Sequence, residues 1–219
     1  MNSYSPEKKT ILITGHYGTG KTNVAVNIAR RLALDGKPTA LLDFDIVNPY
    51  FRAADCVKEA EALGIRCIVP EYANSNVDVP SLPASVNSVF DRGNDEYAVF
   101  DVGGDDAGAT ALAVYAERIK NRGYEMLYVI NMYRPLTATP EEAAELMYEI
   151  EARSRLKCTA IVNNSNLGRD TTRETVLESE EYAKKVCELT SLPLLFTSAM
   201  ESAAGSDDFI LKQETKSMF

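Results

Sequence analysis

The run Gly15-His16-Tyr17-Gly18-Thr19-Gly20-Lys21-Thr22 fits the pattern G-x-x-x-x-G-K-[ST] without a mismatch. It constrains the fold because it operates only between a β-strand and the helix that follows. Its glycines let successive backbone N–H groups converge on phosphate oxygens, and the helix adds the positive end of its dipole. The flanking sequence supplies that context. Residues 10–14 predict a strand, and residues 21–34 predict a helix with Ala25, Ile28, Ala29, Leu32 and Ala33 on one face. Gly36 ends this helix and Pro38 prevents its continuation. All eight residues of the loop are therefore candidate nucleotide ligands. Lys21 would bridge the β- and γ-phosphates and stabilise developing charge, and the Thr22 hydroxyl would ligate Mg²⁺.

The remaining chain alternates short β-rich runs with longer helical stretches, the pattern of a parallel α/β protein. Strands are predicted over 39–44, 66–69, 97–102, 126–131, 158–163 and 194–197. Helices are predicted over 53–63, 109–121, 140–152 and 171–189, the third opened by Thr139 as cap and Pro140 at its first position. Between residues 70 and 94 the pattern weakens, which predicts an irregular insertion carrying one short helix near 84–90. The expected architecture is a three-layer P-loop NTPase fold, a mostly parallel central sheet flanked by helices. A chain of 219 residues suits one such domain, with the last dozen residues expected to be mobile.

Composition narrows the partners. A net charge of −9 argues against non-specific binding to nucleic acid or anionic membrane. The apolar runs are too short to span a bilayer, and the polar first ten residues do not read as a signal peptide. Cys56, Cys67, Cys158 and Cys187 lie far apart with no C-x-x-C pair, the usage of reduced thiols in a cytoplasmic protein. The segment 207–219 contains only Lys212 and Lys216 as cations and forms no basic amphipathic membrane anchor.

A phosphate loop needs metal and water management from neighbouring strand ends, where α/β sheets bind ligands. Asp43 and Asp45 close the second predicted strand, and Asp101 closes the fourth. Asp101 is the candidate for the Mg²⁺ shell, and Gly104 follows at D-x-x-G spacing, placing its amide where it would sense a γ-phosphate.

With these residues in place the chain resembles the MinD/ParA group of P-loop ATPases. The second-strand run Leu41-Leu42-Asp43-Phe44-Asp45-Ile46-Val47-Asn48, the phosphate loop and the Asp101–Gly104 turn occur in that family's order. The resemblance implies that Asp45 orients the attacking water, that Asp43 supports the metal shell, and that Thr22 and Asp101 hold Mg²⁺. It also implies a homodimer around nucleotide. The family's loop usually carries a second lysine after its first glycine, which reaches across that dimer. Here the position is His16, followed by Tyr17, which leaves the dimer mechanism open.

The run Asn163-Asn164-Ser165-Asn166 stands where such folds often read the nucleobase. It lacks the N-K-x-D carboxylate that accepts from guanine, and the resemblance assigns Asn163 to adenine, so ATP is expected over GTP. Asn48-Pro49-Tyr50-Phe51-Arg52 occupies a switch-like position, either closing over nucleotide or stapling the next helix. Arg52, Arg92 and Arg134 are candidates for transition-state charge stabilisation. Two functions remain in view: an ATPase whose hydrolysis switches a protein partner, or an ATP-dependent small-molecule kinase or ligase, similar to dethiobiotin synthetase, with an acceptor pocket in the 70–94 insertion.

Overall fold

In the computed structural model, residues 4–45, 54–69, 84–104 and 106–212 are described. The elements run β1 (Thr10–Thr14), α1 (Lys21–Leu34), β2 (Thr39–Phe44), α2 (Ala54–Ala62), β3 (Ile65–Ile68), β4 (Tyr97–Val102), α3 (Asp106–Arg122), β5 (Glu125–Ile130), α4 (Pro140–Ser154), β6 (Ala160–Asn163), α5 (Arg173–Thr190), β7 (Leu194–Met200) and β8 (Phe209–Leu211). Two 3₁₀ turns, Ala84–Phe90 and Gly168–Asp170, complete the described elements.

All eight strands are parallel, in the order β3-β2-β4-β1-β5-β6-β7-β8. The central strands are buried on both faces, as a parallel sheet covered by helices requires. Strand alternation divides their side chains between two cores. Leu12, Leu42, Phe100, Tyr128 and Ile161 pack with Leu112 of α3, Met147 of α4 and Val186 of α5. Ile11, Ile13, Leu41, Val99, Val129 and Val162 pack on the other face with Val24, Ile28 and Leu32 of α1. This is the expected three-layer fold.

Most boundaries match the periodicity to within a few residues, with α3 and β7 differing most. Tertiary contact accounts for the larger differences. α3 begins earlier than its apolar stripe, and α4 runs on to Ser154, where Arg155 takes a left-handed φ of 59° to stop it. Part of the last dozen residues has regular structure. Phe209–Leu211 forms β8 beside β7, and the Asn27 amide of α1 bonds Lys212 twice, donating to its carbonyl and accepting from its N–H, each at 2.9 Å. The switch-like run 48–52 and residues 70–83 of the insertion lie outside the described residues. Among the described residues no helix is long and apolar enough to cross a membrane.

Candidate functional site

Strand order decides what surrounds the loop 15–22. β1 lies between β4 and β5, so the chain leaves β1 at the point where the connections diverge to opposite sides of the sheet. A crevice opens at such a point beyond the strand ends. In register, Asp101 of β4 lies beside Ile13 on one side and Asp43 of β2 on the other. Alternation sends Asp43 and Asp101 to the face that α1 covers, because Leu41 and Val99 pack there. Both carboxylates therefore arrive, buried, near the first turn of α1.

The loop is closed on itself by the His16 carbonyl. It accepts from the Thr19 N–H at 3.3 Å, the Thr19 hydroxyl at 2.8 Å and the Lys21 ammonium at 3.1 Å. Lys21 is buried, and Tyr17 is exposed at the surface of the loop. Gly20 caps α1 with φ 88° and offers no side-chain acceptor to the helix N–H groups. A Cβ there would drive into the Asn164 amide, so only glycine satisfies both the angle and the space. Gly104 approaches from the other side. A Cβ on it would stand 2.5 Å from the Tyr17 nitrogen and 2.7 Å from the Lys21 ammonium. The D-x-x-G turn thus lies directly against the phosphate loop.

Six buried side-chain atoms among the described residues have no hydrogen-bonding partner, and five of them belong here: Thr14 Oγ1, His16 Nδ1, both Asp101 oxygens and Arg134 Nε. Buried polar atoms are nearly always partnered, so such a concentration marks a place built for something other than packing. Burial pushes the Asp101 carboxyl up to about 6, against the pull of the Thr22 hydroxyl and the Lys21 ammonium, with Asp45 adding to the rise. Thr22 exerts that pull without closing a well-aligned hydrogen bond to either oxygen. Burial, then the Lys21 charge, hold the His16 imidazole below its ordinary value. Asp43 accepts the Asp45 N–H at 3.0 Å, fixing the backbone from which Asp45 projects.

A hydroxyl and a carboxylate with two unpartnered oxygens form a hard-oxygen donor set of the kind that suits Mg²⁺. Among the described residues no three His, Cys, Asp or Glu side chains gather to hold a metal alone. A phosphate-loop Mg²⁺ takes its remaining ligands from water and phosphate, so Thr22 and Asp101 fit it.

Two placements were not legible from motif order. The Asn163 side chain is fully buried, donating to the Ser179 hydroxyl at 2.8 Å and accepting from the Ser165 N–H at 3.2 Å. Its neighbour Asn164 meets the loop instead, donating to the Thr19 carbonyl at 2.7 Å and accepting from Ser198 at 2.9 Å. Strand alternation carries the signal: Ile161 faces α5, so Asn163 does too, and the next residue faces α1. Of the three arginine candidates, Arg134 lies beside Gly18, Arg92 precedes β4 at the opposite end of the sheet, and Arg52 lies outside the described residues.

No protein-family model matches the sequence, and no curated protein matches it. Solved structures do match. The chain is similar to the cell division protein FtsY from Thermotoga maritima (20% identity, TM-score 0.55, 98% of this chain and 68% of that one). It is also similar to the signal recognition particle receptor FtsY from Elizabethkingia anophelis in complex with GDP (17%, 0.51, 98% and 63%). Chloroplast FtsY from Physcomitrella patens gives 14%, 0.57, 96% and 64%. The chain thus spans about two thirds of the length of these structures. The likeness is one of fold.

Proposed function

We propose that this chain is a Mg²⁺-dependent nucleoside triphosphatase of MinD/ParA-like type that prefers ATP and uses hydrolysis to switch a protein partner. The observation that carries the reading is the Asp101 carboxylate, buried and unpartnered beside the Thr22 and Lys21 end of α1. A carboxyl in that position costs stability unless a cation meets it.

Each residue then has a chemical task. The N–H groups of the loop and the uncapped start of α1 bind phosphate oxygens. The Lys21 ammonium, now donating to the His16 carbonyl, supplies positive charge where charge develops on the γ-phosphate. Thr22 and Asp101 hold Mg²⁺, which when bound neutralises phosphate charge. Asp43 holds the Asp45 backbone, and the Asp45 carboxylate orients the attacking water. Gly104, packed on the loop, registers the γ-phosphate through its amide.

Preference for ATP is supported by the absence of a base-reading carboxylate after β6. One fold neighbour was solved with GDP, so both bases belong in the assay. In single-turnover assays with excess protein, Asp45→Ala should keep ATP binding and lose hydrolysis, and unchanged turnover would remove Asp45 from the mechanism. Nucleotide release that depends on an added small-molecule acceptor would replace the switch with a kinase or ligase. A tenfold preference for GTP would overturn the base assignment.

A further inference from the structure

We propose that Arg134 is a second phosphate-binding cation, supplied within the same chain as Lys21 and seated against the middle of the phosphate loop. The inference rests on the nucleotide-binding reading above. It names a residue which that reading does not use.

Arg134 reaches the loop because β5 pairs with β1, so the turn after β5 runs beside the turn after β1. Its Cδ and Nε each lie 3.7 Å from where a Cβ on Gly18 would stand. The side chain therefore lies on the side of Gly18 to which a side chain would project, next to the loop whose N–H groups bind phosphate.

The turn holds this arginine firmly. The Arg134 N–H donates to the Asn131 carbonyl at 3.2 Å, and the Thr137 N–H donates to the Arg134 carbonyl at 3.3 Å. The Thr137 hydroxyl bonds the Asn131 carbonyl at 2.9 Å, and the Tyr182 hydroxyl of α5 bonds the Thr137 carbonyl at 2.6 Å. Met132 is tied to Ser165 and Tyr133 to Thr175. Leu136, exposed and at φ 65°, closes the turn in a conformation that leucine rarely adopts.

What this framework presents is a cation with no ion-pair partner among the described residues. Arginines that bind the fold together have theirs: Arg66 pairs with Glu96, Arg173 with Asp208, and Arg122 with the Glu96 carbonyl. Arg134 has no carboxylate partner among the described residues, and its Nε is buried without an acceptor. A guanidinium presents N–H donors in a planar fork that matches phosphate oxygens. Against the anionic oxygens of a polyphosphate chain, the unpartnered Nε–H and the terminal N–H groups gain the acceptors that the protein withholds.

The test is the affinity of the full chain for a non-hydrolysable ATP analogue with Mg²⁺, measured by calorimetry for the wild type, Arg134→Met and Arg134→Lys. Methionine keeps apolar contact along Gly18 and removes the donors. Arg134→Met should weaken binding about tenfold to a hundredfold, the range of a lost charge-assisted hydrogen bond. Arg134→Lys should recover part of the loss, and the salt dependence of binding should flatten in the methionine variant. Affinity of Arg134→Met within twofold of wild type would overturn the proposal and leave the nucleotide reading standing. A wild-type chain that binds neither the analogue nor pyrophosphate at millimolar concentration would remove both. Should Arg134→Met fail to fold, Arg134→Gln, which keeps a polar side chain without the charge, at wild-type affinity and salt slope would equally overturn the proposal.

Discussion

The starts of α1 and α4 are built on opposite principles. α4 is closed. Thr139 accepts from the Glu142 N–H, the Glu142 side chain returns to the Thr139 N–H, Pro140 needs no partner, and acidic residues fill the first turn. α5 repeats the device with Thr172 and Thr175. α1 has neither feature: its cap is Gly20, which has no side chain to accept from the helix, and its first turn carries no acid. A helix with neither a side-chain cap nor an acidic first turn forgoes the stabilisation that α4 draws from both. The difference teaches that α4 and α5 start on side-chain caps of their own, whereas α1 starts without one, where β1 hands over to the loop.

The widest margin for breaking that contrast is at Asp101. Its folded pKa of about 6 lies above the ordinary 3.8. The stability this group contributes is complete below about pH 4 and is lost as pH rises through 6. Asp101→Asn should therefore stabilise the nucleotide-free protein at pH 7.5 by on the order of 2–3 kcal/mol, with no gain at pH 4. Urea unfolding at the two pH values reads it. A destabilised variant at pH 7.5 would mean that the carboxylate is satisfied in the free protein. The α4 side gives a smaller, opposite effect. Thr139→Ala should cost about 1 kcal/mol and leave nucleotide affinity unchanged; a change in affinity would show that the closed helices also serve the site. The smallest effect is on His16, the one histidine of the chain, whose ring signals are unambiguous by NMR. Burial and Lys21 lower its pKa, so its contribution to stability is present above the ordinary 6.5 and lost as pH falls through the folded midpoint. Its titration midpoint should lie below 6.5 in the free protein and rise on adding nucleotide, because phosphate favours imidazolium. A midpoint at or above 6.5 without nucleotide would contradict the burial of the ring.

Legibility in the sequence tracked how local each feature is. The loop 15–22 is contiguous, and its meaning depends only on the strand before it and the helix after it. Asp43 and Asp101 were readable as strand ends, and alternation against Leu41 and Val99 already implies their common face. Motif order points to Asn163, whereas the period-two pattern turns Asn163 toward α5 and leaves Asn164 to meet the loop. Arg134 is one of three candidate arginines that local sequence does not rank. Its place beside Gly18 follows from β5 pairing with β1, and strand order is a long-range property that no local run encodes. β8 is hidden for the same reason: Phe209-Ile210-Leu211 is too short to announce a strand, and it exists because β7 and Asn27 supply its partners.

The Asn27 clasp has a mechanical consequence. One amide joins the last described residue of the chain to the helix that begins with Lys21, roughly two turns away along its axis. The edge strand and the phosphate loop therefore hang on one helix: α1 carries Lys21 in its first turn and grips Lys212 from its second, so β8 is anchored to the element that leaves the loop.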